Sequence, residues 1–585
     1  MIKGNTRIRK APVFLLVISL LFGGFPLLLS KGTIQTILND GLGYYIYLPA
    51  FIIYNDLYKL DFVSSMMWNY ENTHEFYQAT QLANGNFVFG YTSGLAMLQL
   101  PFFIAAHIFA KLFHLKADGF STVYQYFAYV SGLFYGLFGL HNTVQILLTT
   151  NRKSIVFITI ICLLLGTNLF YYMFVANGMG HVYSFFLISQ CFVSFYFFLE
   201  TKHWKHSFLL GLSAGLLFLI RPTNSIVFLP LLFSFMPFSF SALKERLLFF
   251  NQKKYMMALS ALIAAFPTLV QMCYWKTATG QYFFNPYAHL GLGFDFGNAH
   301  FHYGWFSVQR GLFFYSPILL LSVFGLLCYR KRVAVALPLI FAYFMLNSWV
   351  ICSWKTYDYG GSYGSRPMVE SFVVLVLPLA NAITFLSNRK WTKTILYITI
   401  ALAIGLNMLQ TYKYTTGRIS GYSEAEVRFS YFSIDDLQIK PGKHYTPRKA
   451  DKLWQINDTV ILENGKTTSP MIEFRCDTIS GRFPKALVIT AGGEYDKLNL
   501  FNGKKTAKIV YVIDHNRDAY SWKEMCFLPQ TPLGDTTENT IIDYRKLPKP
   551  LNKQDVVKIF VMNANENRFR FYGLKVALFD LEKED

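Results

Sequence analysis

The stretch Val182–Phe240 reads VYSFFLISQCFVSFYFFLETKHWKHSFLLGLSAGLLFLIRPTNSIVFLPLLFSFMPFSF. Three apolar runs, Val182–Leu199, Phe208–Ile220 and Thr223–Phe240, are separated by a basic turn, ETKHWKHS, and by an Arg-Pro turn, IRPTNS. A membrane-spanning helix needs about 20 mostly apolar residues, so the stretch reads as consecutive crossings. From Trp204 to Leu243 only 40 residues serve two of them, and the Arg-Pro turn cannot project far beyond the bilayer.

The same pattern extends in both directions. Eight further stretches qualify: Pro12–Leu29, Tyr124–Leu148, Ser154–Val175, Tyr255–Tyr274, Leu312–Cys328, Val333–Trp349, Met368–Leu386 and Thr394–Leu409. That makes about eleven spans. Of the 585 residues 53% are hydrophobic and 15% charged, against about 25% charged in soluble proteins. Arg7, Arg9 and Lys10 precede the first stretch, but no small-residue cleavage site follows, so it reads as an uncleaved span.

The formal charge of +20 suggests a nucleic-acid partner only until its distribution is read. Residues 1–411 hold 27 Lys and Arg against 11 Asp and Glu. With the N-terminus inside, residues 1–12, TTNRKS, ETKHWKHS, Leu243–Tyr255, YRKRV and SNRKWTK carry 18 of those basic residues and two acidic ones. The nine other carboxylates all fall outside, which fits the positive-inside rule. Nucleic acid is therefore not expected as a partner. Tyr91–Phe113 is apolar enough to cross, yet one extra crossing would invert every later loop; parity favours an interfacial or re-entrant helix in a long outer segment, 31–122, with a compensating span near Tyr44–Leu57 as the alternative.

After Leu409 the character changes. TVILE, MIEFRC, KALVITAG, AKIVYVI, VVKIFVM and FRFYGLKVALF are strand-like runs between Gly, Pro, Asn and Asp clusters. The expected fold class is a polytopic α-helical membrane protein over 1–411, followed by a soluble β-sandwich-like domain over 412–585. An odd number of spans places that domain outside the cytoplasm. The expected location is the plasma membrane, the inner membrane of a bacterium, with the N-terminus cytoplasmic.

Few carboxylates stand on the inside, so acid–base chemistry is expected on the outer face, with ordinary solvated loop charges as the competing reading. Asp40, in ILNDGLGYYIYLPAF, closely follows the first span and precedes Tyr44. It suits a general base, although by spacing alone it reads as a turn or helix N-cap residue. Arg221 is an interfacial cation fitted to a phosphate, with snorkelling to headgroups as the competing role. SWKTYDYGGSYGSRPMVES groups Asp358, Arg366 and Glu370 around three glycines, as an anion-binding loop or an interfacial anchor. Arg310, in WFSVQRGLFFYSP, repeats the outer Arg before a span, and His181, in ANGMGHVYSFF, is a candidate acid or sugar contact. Metal-ligand, phosphate-loop and dinucleotide signatures are absent from the sequence.

In this order, the features resemble the C-type membrane glycosyltransferases that use polyprenyl-phosphate sugars, closest to the protein O-mannosyltransferase and aminoarabinose-transferase group. The resemblance covers about residues 8–411. It rests on the N-inside first span, the early acidic Asp40, the amphipathic YTSGLAMLQLPFFIAAH, the short loop ANGMGHVYS, Arg221-Pro222 and the late loop GGSYGSRP. Gly41 stands where the mannosyltransferase branch often has a second acidic residue, and Asn177 and His181 where it has another. The resemblance implies an inverting transfer to an acceptor hydroxyl at the outer face. Asp40 would be the base, Arg221, Arg310 and Arg366 would hold the donor phosphate, and His181, Tyr44, Asp358 and Glu370 would touch substrate. No cofactor is implied; transfer is expected to be metal-independent, with a divalent cation left open. The partners implied are a polyprenyl-phosphate sugar, membrane lipid, and a glycan, lipid or protein acceptor. The C-terminal domain lies outside the resemblance, with glycan binding as its expected role. The alternatives are a flippase or transporter for lipid-linked sugars and a non-catalytic envelope scaffold.

Overall fold

The computed structural model describes residues 36–63, 78–285, 292–328, 334–356 and 359–416 with a few isolated neighbours, and beyond them the strands named below. The first span expected at Pro12–Leu29, the basic segment YRKRV and Asp358 lie outside the described residues. The chain divides into two compact units, Met1–Leu60 with Leu82–Glu424, and Asp61–Gln81 with Ala425–Asp585.

The first unit is helical. Its principal helices are α1 (Asn39–Tyr45), α2 (Gly94–Leu112), α3 (Thr122–Leu148), α4 (Lys153–Leu165), α5 (Gly180–Thr201), α6 (Trp204–Ile220), α7 (Lys254–Thr279), α8 (Leu337–Cys352), α9 (Phe372–Leu386) and α10 (Lys390–Thr415). Among the described residues, five helical stretches are long and apolar enough to cross a membrane: Gly94–Leu112, Gly180–Thr201, Lys254–Thr279, Arg366–Leu386 and Lys390–Thr415. The chain is a polytopic helical membrane protein. The helix expected from Tyr91–Phe113 is present as α2. It runs antiparallel to the first half of α3, with Tyr135 Oη donating to Leu98 O at 2.9 Å and the Phe103 ring 5.4 Å from Tyr124. Its other face leaves Ile104, Ile108 and Leu112 exposed.

Three of the expected spans are not continuous helices. The stretch Ser154–Val175 breaks after Leu165 and resumes as Leu169–Phe174. Leu312–Cys328 breaks at Ser316, before Pro317. Thr223–Phe240 becomes a 3-10 turn, Pro222–Val227, and a short helix, Phe228–Leu232. Proline removes a backbone donor and clashes with the preceding turn, which accounts for the second break and contributes to the third. Broken backbone inside a membrane must find partners within the protein. Here the first two breaks serve one another, since Asn168 N donates to Ser316 Oγ at 3.1 Å. Asn168 Nδ2 also donates to Tyr363 O at 3.2 Å, and Tyr172 Oη donates to the same carbonyl at 3.0 Å. From α10, Asn407 Nδ2 donates to Tyr315 O at 2.6 Å, and the Asn407 backbone carbonyl accepts from Tyr363 Oη at 3.2 Å. The breaks thereby seat the glycine-rich loop that leads to Arg366.

Close helix packing comes from small residues. A Cβ at Gly211 or Gly215 of α6 would lie 2.3 Å from Ser260 O or 2.2 Å from Ala264 O of α7. Only glycine lets these backbones meet, as expected where helices associate in lipid. Helices α5 and α6 are antiparallel neighbours joined by the turn at Lys202–His203, so Gly180 and Ile220 share one end of the bundle. That end lies opposite the basic ETKHWKHS turn.

The second unit carries antiparallel strands, among them β1 (Ile472–Arg475), β2 (Lys485–Tyr495), β3 (Lys508–His515), β4 (Asp518–Cys526), β5 (Thr537–Lys546), β6 (Val556–Met562) and β7 (Phe569–Lys583). One sheet has the order β5-β2-β7, with shorter strands added along β7; the other has the order β1-β6-β3-β4. In β6, Val557, Ile559 and Val561 share one face of the strand and are buried, and Phe560 on the other face is buried as well.

Candidate active site

Asp40 sits in the first turn of α1, whose N-cap is Leu38. It does not cap the helix. Its carboxylate instead accepts from Tyr91 Oη at 2.7 Å through Oδ1, and pairs with Arg366 Nη2 at 2.9 Å through Oδ2. The start of α1 is fixed from below by Gln125 of α3, whose Oε1 accepts from both Thr36 N and Ile37 N at 2.8 Å. Gly41 and Gly178 let the segment before α5 approach this start: a Cβ on Gly178 would come within 2.3 Å of Thr36 O.

A second ion pair lies beside the first. Glu370, in the 3-10 turn Arg366–Ser371 that leads into α9, is buried. Its Oε1 lies 3.0 Å from His181 Nδ1 at the start of α5 and 3.3 Å from Arg221 Nη1 at the end of α6. In the tautomer that carries its hydrogen on Nδ1, His181 donates to the carboxylate, and the ring meets Tyr172 edge-on at 5.4 Å. Five chain segments therefore converge at the bundle end marked by Gly180 and Ile220. The Glu370 side chain is 4% exposed and His181 2%, whereas Asp40 is 21% and Arg221 24% exposed. The open side of the cluster is thus formed by Asp40 and Arg221.

Tyr44 is buried between them, its ring 4.8 Å from that of Tyr91. Burial raises the pKa of its phenol above the ordinary value and the Arg221 charge draws it partly back, so the hydroxyl stays neutral. Arg366 also donates from Nη1 to Met179 Sδ at 3.7 Å, while its Nε is buried without a hydrogen-bond partner. Arg221 and Arg366 are close enough to repel one another. Two carboxylates and two guanidinium groups balance in charge, yet one guanidinium keeps a spare donor.

Of the residues expected from sequence, Asp40, Tyr44, His181, Arg221, Arg366 and Glu370 meet in this cluster. Arg310 is placed differently. It is buried, with Nη1 donating to Ser362 O at 2.5 Å and to Gln309 O at 3.1 Å, and Nη2 donating to Gly360 O. It grips the backbone of the glycine-rich loop upstream of Arg366. Tyr91 was not singled out from sequence. Its one local signal is Gly43, three residues after Asp40 on the same helical face, where a Cβ would fall 2.2 Å from the Tyr91 ring. Among the described residues no group of His, Cys, Asp and Glu is arranged to hold a metal ion.

No family model matches the chain. No curated protein matches it either. Among solved structures, the chain is similar to ArnT from Cupriavidus metallidurans in its apo state, with 10% identity and a TM-score of 0.36, over 69% of this chain and 75% of that one. It is also similar to the arabinosyltransferase EmbB from Mycobacterium smegmatis, with 10% identity and a TM-score of 0.35, over 99% of this chain and 65% of that one. The chemistry proposed for the chain rests on the geometry of the cluster.

Proposed function

We propose that the protein is an integral-membrane glycosyltransferase that moves a sugar from a polyprenyl-phosphate donor to an acceptor hydroxyl at the outer membrane face, with inversion. The observation that carries this reading is the paired arginines: Arg221 on the open side, and Arg366 with a buried Nε lacking a partner. A buried donor without a partner is rare and asks for an explanation. A phosphate oxygen would satisfy it, and an anion would relieve the repulsion between the two guanidinium groups.

In the proposed reaction the acceptor oxygen attacks the anomeric carbon and the bond from that carbon to the phosphate oxygen breaks. The phosphate leaves as a lipid monoester held by Arg221 and Arg366, and the acceptor proton passes to Asp40. Fixed cations aimed at developing charge lower such a barrier most in a water-poor cleft. Glu370 and His181 support Arg221 from beneath, and Arg310 steadies the loop that delivers Arg366. In this reading about eleven spans start from an inside N-terminus, α2 is a re-entrant helix on the outer side packed along α3, and residues 412–585 form an extracytoplasmic β-sandwich for glycan binding. The paired arginines take the charge of the leaving phosphate, so no obligatory metal is proposed, and a divalent cation is left open.

The test is turnover. Purified protein in nanodiscs is offered a panel of labelled undecaprenyl-phosphate sugars with membrane glycan and lipid acceptors. The expected result is release of undecaprenyl phosphate together with label in an acceptor. Intact donor moved to the opposite leaflet of a vesicle, with no release, would establish the transporter reading instead.

A further inference from the structure

Tyr91 holds one oxygen of Asp40 and Arg366 the other, and of these two Arg366 belongs to the proposed phosphate site. The other, Tyr91, stands between the outer segment and α2, and every part of it is fixed. Its carbonyl accepts from Tyr47 Oη at 2.7 Å. The next two residues are tied to separate helices: Thr92 Oγ1 donates to Leu219 O of α6 at 2.6 Å, and Ser93 N donates to Gln271 Oε1 of α7 at 2.8 Å. The ring lies across α1 in the space that Gly43 leaves open, with Tyr44 on its other side.

We infer that Tyr91 is the positioning residue for Asp40, and that Gly43 is glycine so that the Tyr91 ring can reach it; the inference rests on Asp40 being the base. A carboxylate has about four lone-pair sites. With Tyr91 on one oxygen and Arg366 on the other, the carboxylate plane is fixed and the remaining lone pairs point in set directions. Transfer of a proton in the transition state depends on such alignment, because misplacement by about 1 Å costs on the order of 100-fold. Tyr91 touches neither donor nor acceptor in this account; it acts through Asp40.

The experiment compares Tyr91→Phe, Gly43→Ala, Asp40→Asn and the double variant Tyr91→Phe/Asp40→Asn. Each is assayed for turnover with the undecaprenyl-phosphate sugar that the wild-type protein consumes, and for binding of undecaprenyl phosphate alone. Tyr91→Phe keeps the ring and removes only the hydroxyl, so it is expected to lower kcat about tenfold, with donor KM and lipid-phosphate affinity within twofold of wild type. Gly43→Ala displaces the ring and should lose at least as much. Added to Asp40→Asn, the Tyr91 change should cost nothing further. Normal kcat in Tyr91→Phe beside an inactive Asp40→Asn would overturn the inference and leave the proposed function standing. A loss in Tyr91→Phe matched by an equal loss of lipid-phosphate binding would also overturn it, since the hydroxyl would then be holding the site together. An active Asp40→Asn would remove the base itself, and the positioning role with it.

Discussion

Asp40→Asn is expected to reduce transfer by about 100- to 10,000-fold, the usual range for loss of a general base, while lipid-phosphate binding and folding stay near wild type. The amide keeps the carboxylate's shape and can still accept from Tyr91 Oη, now 2.7 Å from Oδ1. It cannot take the acceptor's proton. It also loses the ion pair with Arg366, whose Nη2 lies 2.9 Å from Oδ2. That loss frees a guanidinium for phosphate, so lipid-phosphate affinity should hold or rise even as turnover disappears. The measurement is single-turnover rate beside equilibrium binding. A rate within a few-fold of wild type would return Asp40 to the role of a helix-start residue that binds an arginine.

Arg221→Lys is the second change with a large expected effect. Arg221 carries two duties in the structure: one nitrogen, Nη1, pairs with buried Glu370 at 3.3 Å, and about a quarter of the side chain faces the opening. Truncation to Ala would strand a buried carboxylate, a strongly destabilising change whatever the function. Lysine keeps the charge near Glu370 and removes the planar fork. Where arginine merely snorkels to headgroups, the two residues are interchangeable. Where it grips a phosphate through two nitrogens they are not. We expect donor affinity or kcat/KM to fall by about 10- to 100-fold, the scale of a lost charged hydrogen bond of about 1.5–3 kcal/mol, with thermal stability in detergent nearly unchanged. Unaltered kinetics in Arg221→Lys, with Arg366→Lys inactive, would move the phosphate wholly onto Arg366.

These two experiments probe residues that a linear reading could find, and the reason is instructive. Apolar runs announce helices because lipid imposes one requirement on every turn, so α5, α7, α9 and α10 were legible from composition alone. Isolated charges at the ends of such runs, Asp40, Arg221, Arg366 and Glu370, stood out against an apolar background. Their pairing did not. Glu370 and His181 are 189 positions apart in the chain, and Tyr91 and Asp40 51 apart; without the packing of α1, α5, α6 and the loop before α9, nothing links them. The helix breaks were hidden for a related reason. Apolar runs resume directly after Gly166-Thr167-Asn168 and Ser316-Pro317, so each break is short, while the polar atoms freed there are satisfied by residues far along the chain, such as Asn407. Arg310 shows the converse case. Its sequence setting, an outer arginine before a span, is the same as that of Arg366, but its guanidinium is taken up by the loop carbonyls of Gly360 and Ser362. Sequence could place the charge and could not show what it holds.

The most direct measurement is a structure of the protein with undecaprenyl phosphate bound in a nanodisc. The account predicts the phosphate at the open side of the cluster, within hydrogen-bonding distance of Arg221 and of the Nε of Arg366, with Asp40 facing the position of the anomeric carbon and the isoprenoid chain leaving into lipid. A phosphate bound away from both arginines, at the basic ETKHWKHS turn on the opposite end of the bundle or against Arg310 alone, would contradict it.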